Sequence, residues 1–193
     1  MSADSKPDSR LLLLAAPGAG KGTQGKRLAE RLGIAHLAAG DLLRGEVRDG
    51  TPLGKKVSEH LDRGELAPDE LIVDLIMPAI EAAEARGGYV LDGFPRDVEQ
   101  ARAADERGAA LDRVIHLRAP QDELRRRLLA RAATEGRSDD TPDVIDNRFR
   151  LYARETEPLV EHYRARGILT DVDADRPADQ VTEDIIRSIS GRP

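Results

Sequence analysis

Short apolar runs alternate with long amphipathic stretches along this chain. The run Leu11–Leu14 marks a buried strand over Arg10–Ala15, and further strand patterns fall at Ala35–Leu37, Gly88–Asp92, Arg113–Leu117 and Gly167–Asp171. Apolar positions three and four apart predict helices over 21–31, 41–49, 52–62, 69–86, 97–108, 121–134, 142–166 and 177–189. Pro120, Pro142 and Pro177 stand near three of these helix starts, where a missing N–H costs little. Strands separated by helices indicate βαβ units and a parallel sheet covered on both faces. About 50 residues between the second and third strands hold at least three helices, more than one crossover needs, so part of this stretch should stand off the sheet as a helical flap. Residues 1–9 and 190–193 read as tails flanking one domain over 10–189, and no internal repeat or low-complexity linker interrupts it.

Composition narrows the class. A chain of 193 residues is long enough for one well-filled core, and with 39% hydrophobic but only 3% aromatic residues that core must be Leu, Val, Ile and Ala. So few aromatic platforms count against a base-stacking single-strand binder. A net charge of −6 argues against broad association with nucleic acid or anionic membranes. No apolar run approaches the roughly 18 residues a membrane-crossing helix needs, and Asp4 and Asp8 spoil a signal-peptide reading. With no cysteine, disulfides, thiolate zinc sites and a cysteine nucleophile are excluded. The expectation is a soluble, cytoplasmic protein.

The clearest chemistry follows the first strand: Ala15-Ala16-Pro17-Gly18-Ala19-Gly20-Lys21-Gly22-Thr23-Gln24. A glycine-rich loop of this kind wraps backbone N–H groups round a phosphate chain, and the next helix adds its positive dipole end. Lys21 would reach the β- and γ-phosphates, and the Thr23 hydroxyl can ligate Mg²⁺. A glycine turn that binds nothing is the bland alternative, but strand, glycines, lysine, hydroxyl and helix occur here in order.

Other candidates have chemical readings of their own. Asp41 can cap the helix it opens, with Arg44 one turn inside to fork a terminal phosphate. Asp92 ends the third strand, on the side of an open α/β sheet where ligands gather, and can hold Mg²⁺ through its water shell. Arg96 follows a proline in a tight turn, and Gln100 lies four residues on, its amide matching the donor–acceptor edge of adenine. Arg127 and Arg131 share one helix face, and Arg137 and Arg148 follow. Phosphoryl transfer is chiefly positioning and charge neutralisation, which arginines do well. Arginine is nevertheless abundant here (25 against 5 lysines), so Arg125 and Arg126 are read as solvated surface charges. His36, His60, His116 and His162 show no metal-ligand spacing, and His36 and His116 are read as structural.

From Pro17 to Gln24 the loop matches the GxPGxGKGTQ form of the nucleoside monophosphate kinases, with Ala15 departing from it. Three further motifs extend the likeness over about 10–189: His36-Leu-Ala-Ala-Gly-Asp-Leu-Leu-Arg44, Leu91-Asp-Gly-Phe-Pro-Arg96 with Gln100, and Gly136-Arg-Ser-Asp-Asp140. The chain thus resembles the adenylate kinases and the related UMP/CMP kinases. That resemblance implies an α/β, P-loop NTPase-type three-layer fold: a five-stranded parallel sheet flanked by helices, a monophosphate-binding flap at about 38–67 and a short lid at about 131–141. It implies an ATP site at Gly18, Ala19, Gly20, Lys21, Gly22, Thr23, Arg127, Arg131 and Arg176. It implies an AMP site at Ala39, Arg44, Glu65, Leu66, Ala67, Gly93, Arg96, Gln100, Arg137 and Arg148. Catalysis would fall to Lys21, Asp92, Arg96, Arg131, Arg137 and Arg148, with Mg²⁺ held mainly through water by Thr23 and Asp92. Asp139 and Asp140 would orient the lid arginines. The short lid resembles the forms without a zinc staple, so no zinc is expected. A monomer is the family expectation.

The acceptor divides the signals. Ala39 stands where adenylate kinases usually carry a threonine and looks more like the UMP/CMP kinases, whereas Gln100 lies at the adenylate kinase spacing and Asp97 replaces the asparagine of UMP/CMP kinases. One neutral hydrogen bond contributes about 0.5–1.5 kcal/mol, and a mismatched base edge costs more. The weight therefore falls on Gln100 and on AMP, with MgATP + AMP ⇌ MgADP + ADP as the reaction. A UMP/CMP kinase and a catalytically silent nucleotide-binding protein of the same fold are the alternatives.

Overall fold

The computed structural model describes residues 9–62, 68–135 and 141–190. Five strands, β1 (Arg10–Ala15), β2 (Ala35–Ala38), β3 (Tyr89–Asp92), β4 (Arg113–Arg118) and β5 (Leu169–Asp173), form one sheet in the order β2-β3-β1-β4-β5. Every pairing is parallel, so all five strands end at the same edge. The helices are α1 (Lys21–Leu32), α2 (Ala39–Asp49), α3 (Pro52–Asp62), α4 (Asp69–Glu84), α5 (Val98–Glu106), α6 (Gln121–Glu135), α7 (Pro142–Leu151), α8 (Glu157–Ala165) and α9 (Ala178–Ser190), with a π-helical turn (Tyr152–Thr156) between α7 and α8.

The central strand β1 explains the layering. Side chains alternate across a strand, and both faces of β1 are covered, so its pattern is continuously apolar. Leu12 and Leu14 enter one core with Ile76, Ile80, Leu91 and Tyr163, while Leu11, Leu13 and Ala15 enter the other with Leu28, Ile115, Leu128 and Ile185. Burying both faces of β1 is what fixes its carboxyl end, and the loop beyond it, in the middle of the sheet edge.

Three local expectations change. The fifth strand runs over Leu169–Asp173, two residues beyond the predicted span, because Gly167, at φ 71°, closes a turn back to the Arg164 carbonyl before the ladder begins. The helix expected from 41 starts at Ala39, so Asp41 lies in its first turn and not at its cap, and there it pairs with Arg44. The single helix expected over 142–166 is divided. Pro158 cannot donate to the carbonyl four residues back and its ring collides with it. The chain takes up one extra residue, and the Glu157 N–H bonds the Tyr152 carbonyl instead.

The opposite end of the sheet is held by a carboxylate. Asp112 accepts from the backbone N–H groups of Ser9 and Arg10 (3.0 and 2.9 Å) and from the Arg10 guanidinium, joining the starts of β1 and β4. Partial burial opposes its ionisation, but the Arg10 guanidinium and the two backbone donors outweigh this and hold the carboxyl below its usual range. A carboxylate with a depressed folded-state pKa contributes stability above its unfolded value that is lost as pH falls through the folded one. Asp112→Asn should therefore lower stability by about 2 kcal/mol at neutral pH. In thermal melts the gap between the variant and the parent chain should close as pH falls below about 4; a gap independent of pH would show that ionisation of Asp112 is not the source.

Candidate active site

The loop after β1 is shaped by what packs on it. Gly18 (φ 86°) and Gly20 (φ 88°) take the left-handed conformation, and a Cβ on Gly18 would stand 2.7 Å from the Leu124 carbonyl oxygen of α6. Gly20 precedes α1 with no side-chain cap, so the helix offers its first N–H groups to a ligand. Ala15 closes β1, its methyl buried in the core, and only its carbonyl meets the loop, where Lys21 Nζ donates at 2.8 Å. No described residue other than glycine has a positive φ, so alanine at position 15 introduces no backbone strain.

Charge at the sheet edge is unevenly matched. Burial pushes the Lys21 ammonium down from its ordinary value; Asp92 offsets this, while Arg148 and Arg96 add to it. Asp92, 15% exposed at the carboxyl end of β3, has its pKa raised by burial and tempered by Lys21 and His36. His36 packs its ring over Gly25, where a Cβ would collide with it, and its Nε2 stands 4.0 Å from Asp92 Oδ2. Burial lowers its pKa, which favours the neutral ring. The structural reading of His36 thus has a definite form: it closes the wall behind Asp92.

Around this centre opens a cleft of about 630 Å³ that brings most of the expected residues together. The whole loop from Gly18 to Thr23 lines it, with Asp92 and Gly93 from the end of β3 and Arg96 just beyond. Arg44 enters from α2, Arg127 and Arg131 from α6 and Arg148 from α7. The Thr23 hydroxyl and the Asp92 carboxylate are hard oxygen donors on this one cleft, a set that fits Mg²⁺. Among the described residues no group of three or more His, Cys, Asp or Glu side chains is arranged to hold a metal ion. Glu65, Leu66, Ala67, Arg137, Asp139 and Asp140 lie outside the described residues.

Two acceptor-side residues are not simply facing the cleft. Ala39 is buried among apolar neighbours, opposite Gly93. Gln100 is 4% exposed, and its amide is already engaged: Oε1 accepts from the Arg96 backbone N–H at 2.9 Å, and Nε2 donates to Asp69 Oδ1 at 2.6 Å. As placed, it clips the Arg96 turn to the start of α4. Each end of a carboxamide retains capacity for one more bond, so a base can be read only in addition to this clip.

A second pocket of about 510 Å³ lies on the other side of the same loop, with Gly18, Gly20 and Thr23 shared between the two. Arg127 borders it, held by Glu123 at 2.7 Å and by the Ala174 carbonyl at 2.9 Å, with Asp175 at 3.6 Å. Hydrogen bonds from Arg126 and Arg127 hold the Glu123 carboxyl down at about 2. Arg176 also lines the pocket and bonds Asp184 and Gln180.

Sequence reasoning missed Glu123 and Asp175. The four-residue spacing of Glu123 and Arg127 was a usable signal; Asp175 had none, because it reaches the pocket from beyond β5. Also missed was the buried tie of α1 to α9, in which Thr182 Oγ1 donates to Gln24 Oε1 (2.8 Å) and Gln24 Nε2 to the Ala178 carbonyl (3.0 Å). Arg126 is 70% exposed, as expected of a surface charge, whereas Arg125 is half-buried: it pairs with Asp146 and lies 6.0 Å over the Phe149 ring, joining α6 to α7.

Known proteins agree with this architecture. The family model described as adenylate kinase matches residues 13–168. An adenylate kinase of Micrococcus luteus is 42% identical over 185 residues, covering 94% of this chain and 90% of that protein. One from Clavibacter michiganensis is 43% identical, covering 95% and 94%, and one from Lachnospira eligens is 36% identical, covering 92% and 98%. With the family model matched over most of its length and relatives of nearly its whole length at 36–43% identity, this chain belongs to the adenylate kinase family.

Proposed function

We propose that the protein transfers the terminal phosphoryl group of MgATP reversibly to AMP, giving two ADP. The observation that carries this reading is the convergence of Lys21, Arg96, Arg131 and Arg148 on one cleft whose floor is the glycine loop, with a second pocket beside that loop for the donor's nucleoside. The curated relatives bear the name of this activity. Against a UMP/CMP kinase stand those names; against a silent binding protein stands the retention of Arg44, Arg96 and Arg148 at the acceptor side.

In the mechanism that follows, ATP lays its phosphates along the loop, with its base in the pocket between Arg127 and the 174–178 segment. AMP enters from the side of Arg44 and Arg96. An α-phosphate oxygen of AMP attacks the γ-phosphorus in line, the new O–P bond forms as the β,γ-bridging O–P bond breaks, and ADP leaves with the electron pair. The attacking oxygen is already anionic, so no general base is required. Lys21 and the arginines neutralise charge that spreads over the equatorial oxygens, and they are positioned before the reaction begins. Mg²⁺, held through water by Thr23 and Asp92, would supply further neutralisation of the phosphates. Glu65, Leu66, Ala67 and Arg137 belong to the acceptor site in the same proposal, Arg137 also acting at the transferring group. Segments 38–67 and 131–141 act as flap and lid that exclude water from the reacting groups. A cytoplasmic monomer is part of this proposal on the family resemblance alone.

ADP formation from MgATP with AMP, CMP, UMP and GMP offered separately tests the reading. AMP should be preferred by at least about tenfold, the discrimination one to two neutral hydrogen bonds provide; preference for CMP or UMP would overturn it. Lys21→Met should reduce turnover roughly 10³-fold with an unchanged thermal midpoint, and near-normal turnover would remove Lys21 from the reaction. Gln100→Leu should raise KM for AMP about tenfold and narrow the preference over CMP. An unaltered preference would assign Gln100 to the clip alone.

A further inference from the structure

Beneath the cleft, three side chains from three elements form one hydrogen-bonded line. His116 of β4 is the register partner of Asp171 of β5, and its Nδ1 lies 2.7 Å from Asp171 Oδ1. Its Nε2 lies 3.1 Å from the Tyr152 hydroxyl, at the first position of the π-helical turn. A carboxylate only accepts, so the imidazole proton sits on Nδ1 and points at Asp171; Nε2 is then the acceptor, and the Tyr152 O–H donates to it. The other oxygen of Asp171 accepts from Arg164 Nη2 at 3.1 Å. Burial lowers the pKa of His116, with Asp171 opposing and Arg118 and Arg164 assisting, so the ring stays neutral near pH 7. Burial, with Glu157 and Asp171 adding to it, pushes the Tyr152 phenol up to about 12, which keeps its proton in place. From the turn, Glu155 lines the same pocket as Tyr152, and on the β1 side the register partner of His116 is Leu14.

The line ends beside the arginine that closes the cleft. Arg148 stands one helical turn before Tyr152, and the Tyr152 backbone N–H bonds the Arg148 carbonyl. Tyr152 and Arg148 also share a pocket of about 280 Å³ with Lys21 and Arg96. Tyr152 is thus tied through its backbone to Arg148 and through its hydroxyl to β4. β4 in turn pairs with β1, whose last carbonyl holds Lys21 Nζ. The extra residue of the π turn sets the direction of this tie, since such turns alter the helical phase at one place.

Building on the phosphoryl-transfer reading above, we propose that Tyr152 and His116 are positioning residues for Arg148, and that the Asp171–His116–Tyr152 line fixes the end of α7 so that the guanidinium faces Lys21 and Arg96. The hydroxyl can donate to the neutral ring or accept from the protonated one, so the tie at Nε2 holds in either form of His116.

The direct readout needs no turnover. The imidazole of His116, followed by NMR against pH, should titrate at a shifted pH in Tyr152→Phe, because the ring loses its hydroxyl partner at Nε2; an unmoved titration overturns the line itself. In ATP–AMP turnover, Tyr152→Phe should lower kcat about tenfold with both KM values within about twofold, and His116→Ala should add little to it, since coupled residues are not additive. His116→Gln can donate to Asp171 and accept from Tyr152 without titrating. It should recover most of the parent kcat. Parental kcat in Tyr152→Phe, or a His116→Gln variant no more active than His116→Ala, overturns the positioning role. Thermal melts of each variant identify any loss due to misfolding, and His116→Gln then carries the test. If the parent chain itself makes no ADP from MgATP and AMP, the phosphoryl-transfer reading fails while the NMR titration still decides the line.

Discussion

An ammonium group withdrawn from water at the end of β1 sets the conditions for everything around it. Lys21 can lie there because one carbonyl and one buried carboxylate, Asp92, face it, yet Arg96 and Arg148 press on it with charge of the same sign. Such an arrangement is costly in an empty protein, since buried or half-buried like charges are poorly screened. It becomes favourable when a polyanion arrives. The site is therefore built around charge that the protein does not itself supply, and the triphosphate completes it. This is electrostatic preorganisation in its simplest form: the donors are fixed in advance by a strand buried on both faces, a glycine loop under α6 and helix ends that converge on one edge.

The fold holds that unfavourable cluster with purely structural ties placed elsewhere. Asp112 closes the far end of the sheet, Gln24 and Thr182 lock α9 to α1, and Arg125 joins α6 to α7. Apart from Gln24, which also lines the donor pocket, none of these reaches substrate in the proposed mechanism, and each limits how far the elements carrying the cations can separate. His36 lies nearer the site: its half-buried ring, which favours the neutral form, lines the cleft beside Asp92 and leaves the carboxylate's charge available there.

Much of this was legible in the sequence, and the residues show why. The alternation of Leu11–Leu14 with helical stretches gave the parallel sheet, because a strand covered on both faces must read as continuously apolar. The loop from Pro17 to Thr23 was legible because only glycines permit its close approach to α6 and its positive φ values. The illegible features depend on tertiary register. Nothing local shows that His116 faces Asp171, since the pairing comes from the alignment of β4 with β5. Gln100 looked available for a base because its spacing is right, but its engagement with Asp69 requires knowing where α4 begins. The π turn escaped because a helical pattern is continuous through it; Pro158 was the one visible warning.

The wall of the donor pocket is assembled from distant parts of the chain, and this orders events at the ribosome. The glycine loop, Asp92, Arg96 and Arg127 have all been synthesised before Ala174–Ala178, the segment that receives Arg127 and completes the pocket. α9, which anchors that segment through Thr182 to Gln24, comes later still. A nascent chain thus carries the glycine loop, Lys21, Arg44, Arg96, Arg127, Arg131 and Arg148 before it can enclose a nucleoside. Ligand-assisted folding by ATP is withheld until nearly the whole domain has emerged, and until then the sheet must hold its concentrated positive charge together by apolar contacts and by ties such as Asp112 to Arg10 and Arg125 to Asp146.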